Sequence, residues 1–140
     1  MPQPAFSPGF RFSAFDALVL AVGGCGSLLV WPRIWWLGFV TAFAVGHFFL
    51  FCNVFRISRR LELIWAATFI TLSLLTVFSG HLTWTAASLL SLAATTFVVG
   101  VELRKPSYHG VGWNHFNPNL RLWWETTIAQ KGQQIGTFRQ

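Results

Sequence analysis

Apolar residues dominate this chain from Phe12 to Val101, and brief polar breaks divide them into four stretches. The second stretch, Ile34 to Phe55, is a run of 22 residues without a charge, bounded downstream by Arg56-Ile57-Ser58-Arg59-Arg60. A helix of that length is roughly 33 Å long, enough to cross a bilayer's hydrocarbon layer. The first stretch covers about 12–31. Ser13 or Asp16 is placed to cap its start, and Pro32 stops it. The third and fourth cover about 61–78 and 82–101, separated by Ser79-Gly80-His81. The links Trp31-Pro32-Arg33 and Ser79-Gly80-His81 are too short for anything but antiparallel neighbours.

Within these stretches the small and polar residues are ordered. Gly38, Ala42 and Gly46 recur every four residues along the second span and predict a helix-packing seam, with Asn53 seven residues further on nearly the same face. Gly23-Gly24-Cys25-Gly26-Ser27 in the first span suits a close helix contact. Thr68, Thr71, Ser73 and Thr76 in the third can return hydrogen bonds to the preceding turn and need not line a pore. Ala87, Ser91 and Thr95 repeat at four-residue spacing in the fourth.

Composition turns this pattern into a class. The chain is 54% hydrophobic and 17% aromatic, and its 10% charged residues compare with roughly 25% in soluble domains. A formal charge of +6 raises the possibility of a nucleic-acid partner. The basic residues lie between and after apolar spans, not in a stripe on a soluble face, and this argues against nucleic acid. With four spans, Arg11, Arg56, Arg59, Arg60, Arg104, Lys105, Arg121, Lys131 and Arg139 share one side, against Arg33 alone on the other. The positive-inside rule then sets both termini in the cytoplasm, in the plasma (inner) membrane if the protein is bacterial. Trp31, Trp35, Trp36 and Trp84 form an outer aromatic belt, and Trp65, Trp113, Trp123 and Trp124 an inner one.

Both ends of the chain read differently from the middle. Residues 1–11 carry three prolines and read as an irregular lead-in. Val22-Gly23-Gly24-Cys25 loosely resembles a lipoprotein cleavage site, but Ser27-Leu28-Leu29-Val30-Trp31 continues the apolar run, so the segment is expected to remain an uncleaved helix. In the tail, 102–140, Asn117-Pro118 starts and Lys131-Gly132 stops a surface helix over about 118–131. Leu120, Trp123, Trp124 and Ile128 share one face of it, and Arg121 and Glu125 pair four apart. The stretch from Tyr108 to Asn117 is expected to be a loop.

Candidate chemistry is sparse. His47, inside the second span, is the candidate cofactor ligand, for a haem or chlorophyll-type group. The simpler reading is a neutral imidazole hydrogen-bonded to a neighbouring helix. No second histidine lies at its depth, and no cofactor is identified. Asp16, Asn53, Arg56, Glu62 and Arg104 all fall near the basic ends of their spans and form a candidate polar cluster. Cys25 and Cys52 sit in apolar runs and read as buried small hydrophobes. His109 and His115 lack further ligands at metal-site spacing. No nucleophile elbow, phosphate loop or paired catalytic carboxylates occur, so no enzyme is expected.

The expected fold is therefore an all-α, polytopic membrane protein, a four-span antiparallel helix bundle with a short amphipathic cytoplasmic helix. The expected function is a small structural or accessory membrane subunit, partnered by the lipid bilayer and by copies of itself or other membrane subunits. Two alternatives stand beside it: a homo-oligomeric transporter or channel, and a haem- or pigment-binding redox subunit using His47.

Overall fold

The structure, a computed structural model, describes residues 6–137 and, in its last helix, side chains as far as Ile128. Residues 1–5 of the lead-in, and Arg139 in the tail, lie outside the described residues. The chain is all-helical, with no strand among those residues. In order come α1 (Ala14–Val30), α2 (Trp35–Phe49), a π-helical turn over Leu50–Val54, α3 (Arg59–Ser79), α4 (Trp84–Leu103), α5 (Trp113–Phe116) and α6 (Leu120–Thr137). Three helices are long and apolar enough to cross a membrane: Trp35–Val54, Arg59–Ser79 and Trp84–Leu103, with mean hydropathies of 1.8, 1.9 and 1.7. This is the make-up of an integral membrane protein. The first apolar helix is shorter, at 17 residues.

Local chemistry sets the boundaries. At the start of α1, Ser13 Oγ accepts from Asp16 N at 3.3 Å, and Asp16 Oδ2 accepts from Ser13 N at 2.7 Å. This reciprocal pair is a capping box, and it satisfies two otherwise orphan donors. Trp31, Pro32 and Arg33 make the turn into α2. Helix α3 begins earlier than the apolar pattern suggests, at Arg59, so Arg59 and Arg60 occupy its first turn and not a loop. Gly80 ends it in the left-handed conformation, φ 63°. At the other end of the chain, α6 runs through Gly132 to Thr137, beyond the stop expected at Lys131-Gly132. A single glycine costs a helix only about 1 kcal/mol, too little to end one by itself. Trp113–Phe116 forms a short helix where a loop was expected.

Helices α1 and α2 pack closely along each other, as do α3 and α4. Gly38 explains the first contact: a Cβ there would sit 2.9 Å from the Ser27 carbonyl oxygen and 3.0 Å from Trp31 Cα. Ser27 Oγ adds a hydrogen bond to the Gly38 carbonyl at 2.6 Å. The seam does not continue along Ala42 and Gly46, which are exposed. It passes instead through Val45, whose methyl groups fill the space beside Gly23. Helical geometry gives the reason. Steps of four residues drift by about 40° each, so Gly46 lies about 80° round from Gly38, whereas Val45, seven residues on, returns to within about 20°.

The second contact buries Trp65, Phe69, Ser73 and Thr76 of α3 and Ala87, Ser91, Thr95 and Val98 of α4, each set at three- and four-residue spacing. Phe51, Trp65, Phe69 and Val98 join α3 and α4 to the π-helical turn as one core. Trp65 therefore belongs to this core, not to an interfacial belt. Its indole Nε1 donates to Thr95 Oγ1 at 2.8 Å and to the Ser91 carbonyl at 3.2 Å. Thr68, Thr71 and Thr76 return their hydroxyls to the preceding turn, whereas Ser73 Oγ is buried with no partner among the described residues.

Candidate functional site

Two places in the fold bring polar side chains together. The first is the bundle's interior at His47, which is buried. Its Nδ1 lies 2.8 Å from the Phe43 carbonyl, an acceptor only, so Nδ1 carries the proton and the bond stays within α2. The partner is thus the preceding turn and not a neighbouring helix. Phe43 stacks on it at 4.3 Å and Trp65 at 4.4 Å, with 6.3 Å between those two rings, while Phe51 meets the ring edge-on at 5.7 Å. Phe69 extends the stack from both Phe43 and Trp65. Aromatic rings thus pack between α2 and α3, and an apolar cavity of about 260 Å³ lined by residues including Trp36, Val40, Phe69 and Ser73 lies beside them.

The second place is the end of the bundle where the Arg56–Arg60 segment lies. Here Asn53 sits in the π-helical turn, whose backbone closes with Phe55 N donating to the Leu50 carbonyl five residues back. Both oxygens beside the Asn53 amide are acceptors. The amide nitrogen therefore faces them, donating to the Arg11 carbonyl at 2.5 Å and to Asp16 Oδ2 at 3.0 Å. Arg11 N donates back to the Asn53 carbonyl at 3.2 Å. The extra residue of the π turn is what aims Asn53 at the start of α1, a common use of such turns.

A cavity of about 440 Å³ opens beside this turn, lined by residues including Cys52, Arg56, Ser58, Arg59, Glu62, Glu102 and His109. Glu102 is buried, and its Oε2 accepts from Ser58 N at 3.2 Å, Ser58 Oγ at 2.9 Å and Lys105 Nζ at 2.7 Å. Lys105 Nζ also donates to Ser58 Oγ at 2.8 Å. On the facing wall Arg59 pairs with Glu62 at 3.0 Å, and Cys52 Sγ lies 3.9 Å from the other Glu62 oxygen. Arg56 is half-buried, adopts φ 49°, and donates through Nη1 to the Ser7 carbonyl at 2.7 Å. A positive φ is uncommon for a residue with a side chain and marks a position held by its surroundings. Burial, and secondarily the charge of Arg11, push the Arg56 guanidinium below the ordinary arginine range.

The segment after α4 closes the same end. Val111 N donates to the Val54 carbonyl at 2.8 Å, and Gly9 N donates to the His109 carbonyl at 2.8 Å. Gly110 passes so close that a Cβ would meet the Phe55 carbonyl. Tyr108 is buried, with its hydroxyl donating to the Val111 carbonyl at 2.6 Å, and Asn117 Nδ2 holds the Pro106 and Tyr108 carbonyls. Burial first, and Glu102 second, push the Tyr108 phenol above the ordinary tyrosine range.

The candidate polar cluster is thus divided. Asp16 and Asn53 meet at the start of α1, Arg56 and Glu62 line the cavity, and Arg104 points to the exterior. Glu102 and Ser58 were not read from the sequence as site residues, Lys105 entered only as a charge on the basic side, and His109 was set aside there as a metal ligand. Ser58 and Glu102 stand 44 positions apart, and only the antiparallel return of α4 brings them together. Cys52 is half-buried and Cys25 exposed, so Cys25 departs from the buried reading. Among the described residues no group of three His, Cys, Asp or Glu side chains could hold a metal ion. No family model, no curated protein and no solved structure matches this chain.

Proposed function

We propose that this protein is a small integral-membrane structural or accessory subunit, built as a four-span bundle with both termini cytoplasmic. The observation that carries the reading is the aromatic packing between α2 and α3. The Phe43–His47–Trp65–Phe69 stack occupies the middle of the bundle, and polar side chains gather at one end, tying the lead-in, the π turn and the tail to one another. Such an arrangement serves shape and docking better than passage of a solute. Helix α1 acts as the first span: 17 residues reach about 25 Å, the short end of spanning length. The basic bias toward the Arg56–Arg60 side supports the orientation. Helix α6 lies at the cytoplasmic surface as an amphipathic element, with Leu120 buried, Trp123 and Trp124 half-buried, and Arg121 and Glu125 exposed.

Ala42 and Gly46 face outward from α2 and offer a surface on which another membrane helix can pack closely. The partner is a second copy or a subunit of a larger complex, and no enzymatic role is proposed. The experiment is a mass measurement on protein extracted with its surrounding lipid. An assembly larger than one chain is expected. A monomer that carries a solute across proteoliposomes would overturn the reading in favour of a transporter.

One observation favours a second reading. With Nδ1–H committed to the Phe43 carbonyl, His47 keeps its Nε2 lone pair free of any protein partner among the described residues. That is the tautomer a haem or chlorophyll-type ligand requires. Visible absorbance of the protein purified from its native membrane decides it: a Soret-type band lost in His47→Phe supports a pigment or redox subunit.

A further inference from the structure

The cavity beside Arg56 has an imbalance of charge. Arg59 has Glu62 at 3.0 Å and Lys105 has Glu102 at 2.7 Å, while Arg11 adjoins Asp16. Arg56 has no carboxylate within ion-pair distance among the described residues, although it is half-buried and shares its surroundings with Arg11. Its one hydrogen bond, from Nη1 to Ser7, leaves the rest of the guanidinium fork without a protein acceptor among the described residues. Arg56 lines both the 440 Å³ cavity and a second one of about 90 Å³, and His109 lines both with it.

The N-terminus of α3 opens on the same space. Ser58, its N-cap residue, makes no side-chain cap bond, because its hydroxyl is turned to Glu102. The Ser58 amide and hydroxyl both already donate to Glu102 Oε2, so the positive end of α3 at this wall is answered within the protein. Glu102 is paired with Lys105 and Glu62 with Arg59, which leaves Arg56 as the cation of this wall without a carboxylate among the described residues.

We infer that this cavity binds a phosphate-bearing anion, with Arg56 as its principal ligand. A guanidinium fork is complementary to a tetrahedral oxyanion, and the volume also accommodates a small substituent such as a glycerol headgroup. The anion has two sources: the headgroup of an anionic phospholipid or a soluble phosphate. The first is at hand if the basic end lies at the cytoplasmic leaflet, and only that source rests on the proposed membrane placement.

The test uses full-length protein in zwitterionic detergent micelles, so its outcome is independent of topology and of any partner. Short-chain phosphatidylglycerol, short-chain phosphatidylcholine and inorganic phosphate are titrated separately, with thermal stability and ligand retention in native mass spectrometry as readouts. Saturable binding of phosphatidylglycerol, without binding of phosphatidylcholine, is expected for a headgroup site. Inorganic phosphate binding as tightly as phosphatidylglycerol assigns the soluble source. Arg56→Gln is expected to weaken binding about tenfold or more, the loss of one charge-assisted contact, while Arg60→Gln, an equal charge change at an exposed site, leaves it unchanged. Ser107→Trp fills the cavity from its loop wall with Arg56 in place, and should weaken binding comparably even if Arg56→Gln does not fold. The inference is overturned if neither phosphate compound binds better than phosphatidylcholine, if Arg60→Gln weakens binding as much as Arg56→Gln, or if Ser107→Trp binds like wild type.

Discussion

The indole of Trp65 and the imidazole of His47 lie face to face, with ring centroids 4.4 Å apart and planes 16° from parallel. Trp65 simultaneously hydrogen-bonds α4 through Ser91 and Thr95. One side chain thus links α2, α3 and α4. Inside a membrane, packing of this kind replaces the hydrophobic effect as the force between helices.

Trp65→Ala removes the stack and the two hydrogen bonds together. A buried tryptophan truncated to alanine typically costs about 3–5 kcal/mol. Trp65→Phe keeps a ring but loses the donor, and interhelical hydrogen bonds in membranes contribute about 0.6 kcal/mol on average. Denaturant unfolding in mixed micelles should therefore rank wild type, Trp65→Phe and Trp65→Ala in that order, with the larger step at alanine. Equal losses in the two variants would mean that the hydrogen bonds, not the stack, hold the three helices.

Gly38 and Gly46 should behave differently although both are small residues on α2. Gly38→Leu forces a branched side chain against Ser27 and Trp31, and overpacking of this kind costs about 1–3 kcal/mol. At Gly46 nothing described lies within 4 Å of an added Cβ, so Gly46→Leu should leave the unfolding midpoint of the single chain unchanged. Thermal melts of the two variants in detergent provide the comparison, and a destabilised Gly46→Leu monomer would place a helix where none is seen.

Tyr108 is the sole tyrosine of the chain, so its titration can be followed directly by phenolate absorbance. Burial raises its pKa in the folded state, with Glu102 adding to the effect. A group with a raised folded pKa contributes stability that is fully present below its unfolded pKa and lost as pH rises through the folded one. The absorbance midpoint should accordingly lie above that of a model tyrosine, and thermal stability should decline only in that alkaline range. Tyr108→Phe should flatten the decline. A midpoint at or below the ordinary value would show that the 105–117 segment does not close over the ring.

Much of this was legible in the sequence because it is local. Ser13 and Asp16 stand three apart, which is the spacing a capping box needs, and Pro32 can only interrupt a helix where it stands. Ala87, Ser91 and Thr95 lie buried on one face, where a three-residue step to Val98 takes back most of their drift. The same drift defeats the Gly38–Ala42–Gly46 stripe as an intrachain seam, and the seven-residue step to Val45 was the better guide. The sequence counts Trp65 into the inner aromatic belt. Its hydrogen-bond partners lie 26 and 30 residues away on α4, and no local pattern names them. Glu102 was passed over for the same reason, its partner Ser58 being remote in the chain.

The proposal that α2 presents a docking face is tested most directly by cross-linking from that face in native membranes. In a background with Cys25 and Cys52 replaced by serine, Gly46→Cys is compared with Leu89→Cys, an exposed position on α4. Oxidation or a short thiol cross-linker should convert the Gly46→Cys protein into one adduct of defined mass, either twice that of the chain or the chain plus one other subunit. Leu89→Cys should remain a single chain. If Gly46→Cys yields no more adduct than Leu89→Cys, the outward face of α2 meets only lipid, and the protein is not the assembly subunit proposed.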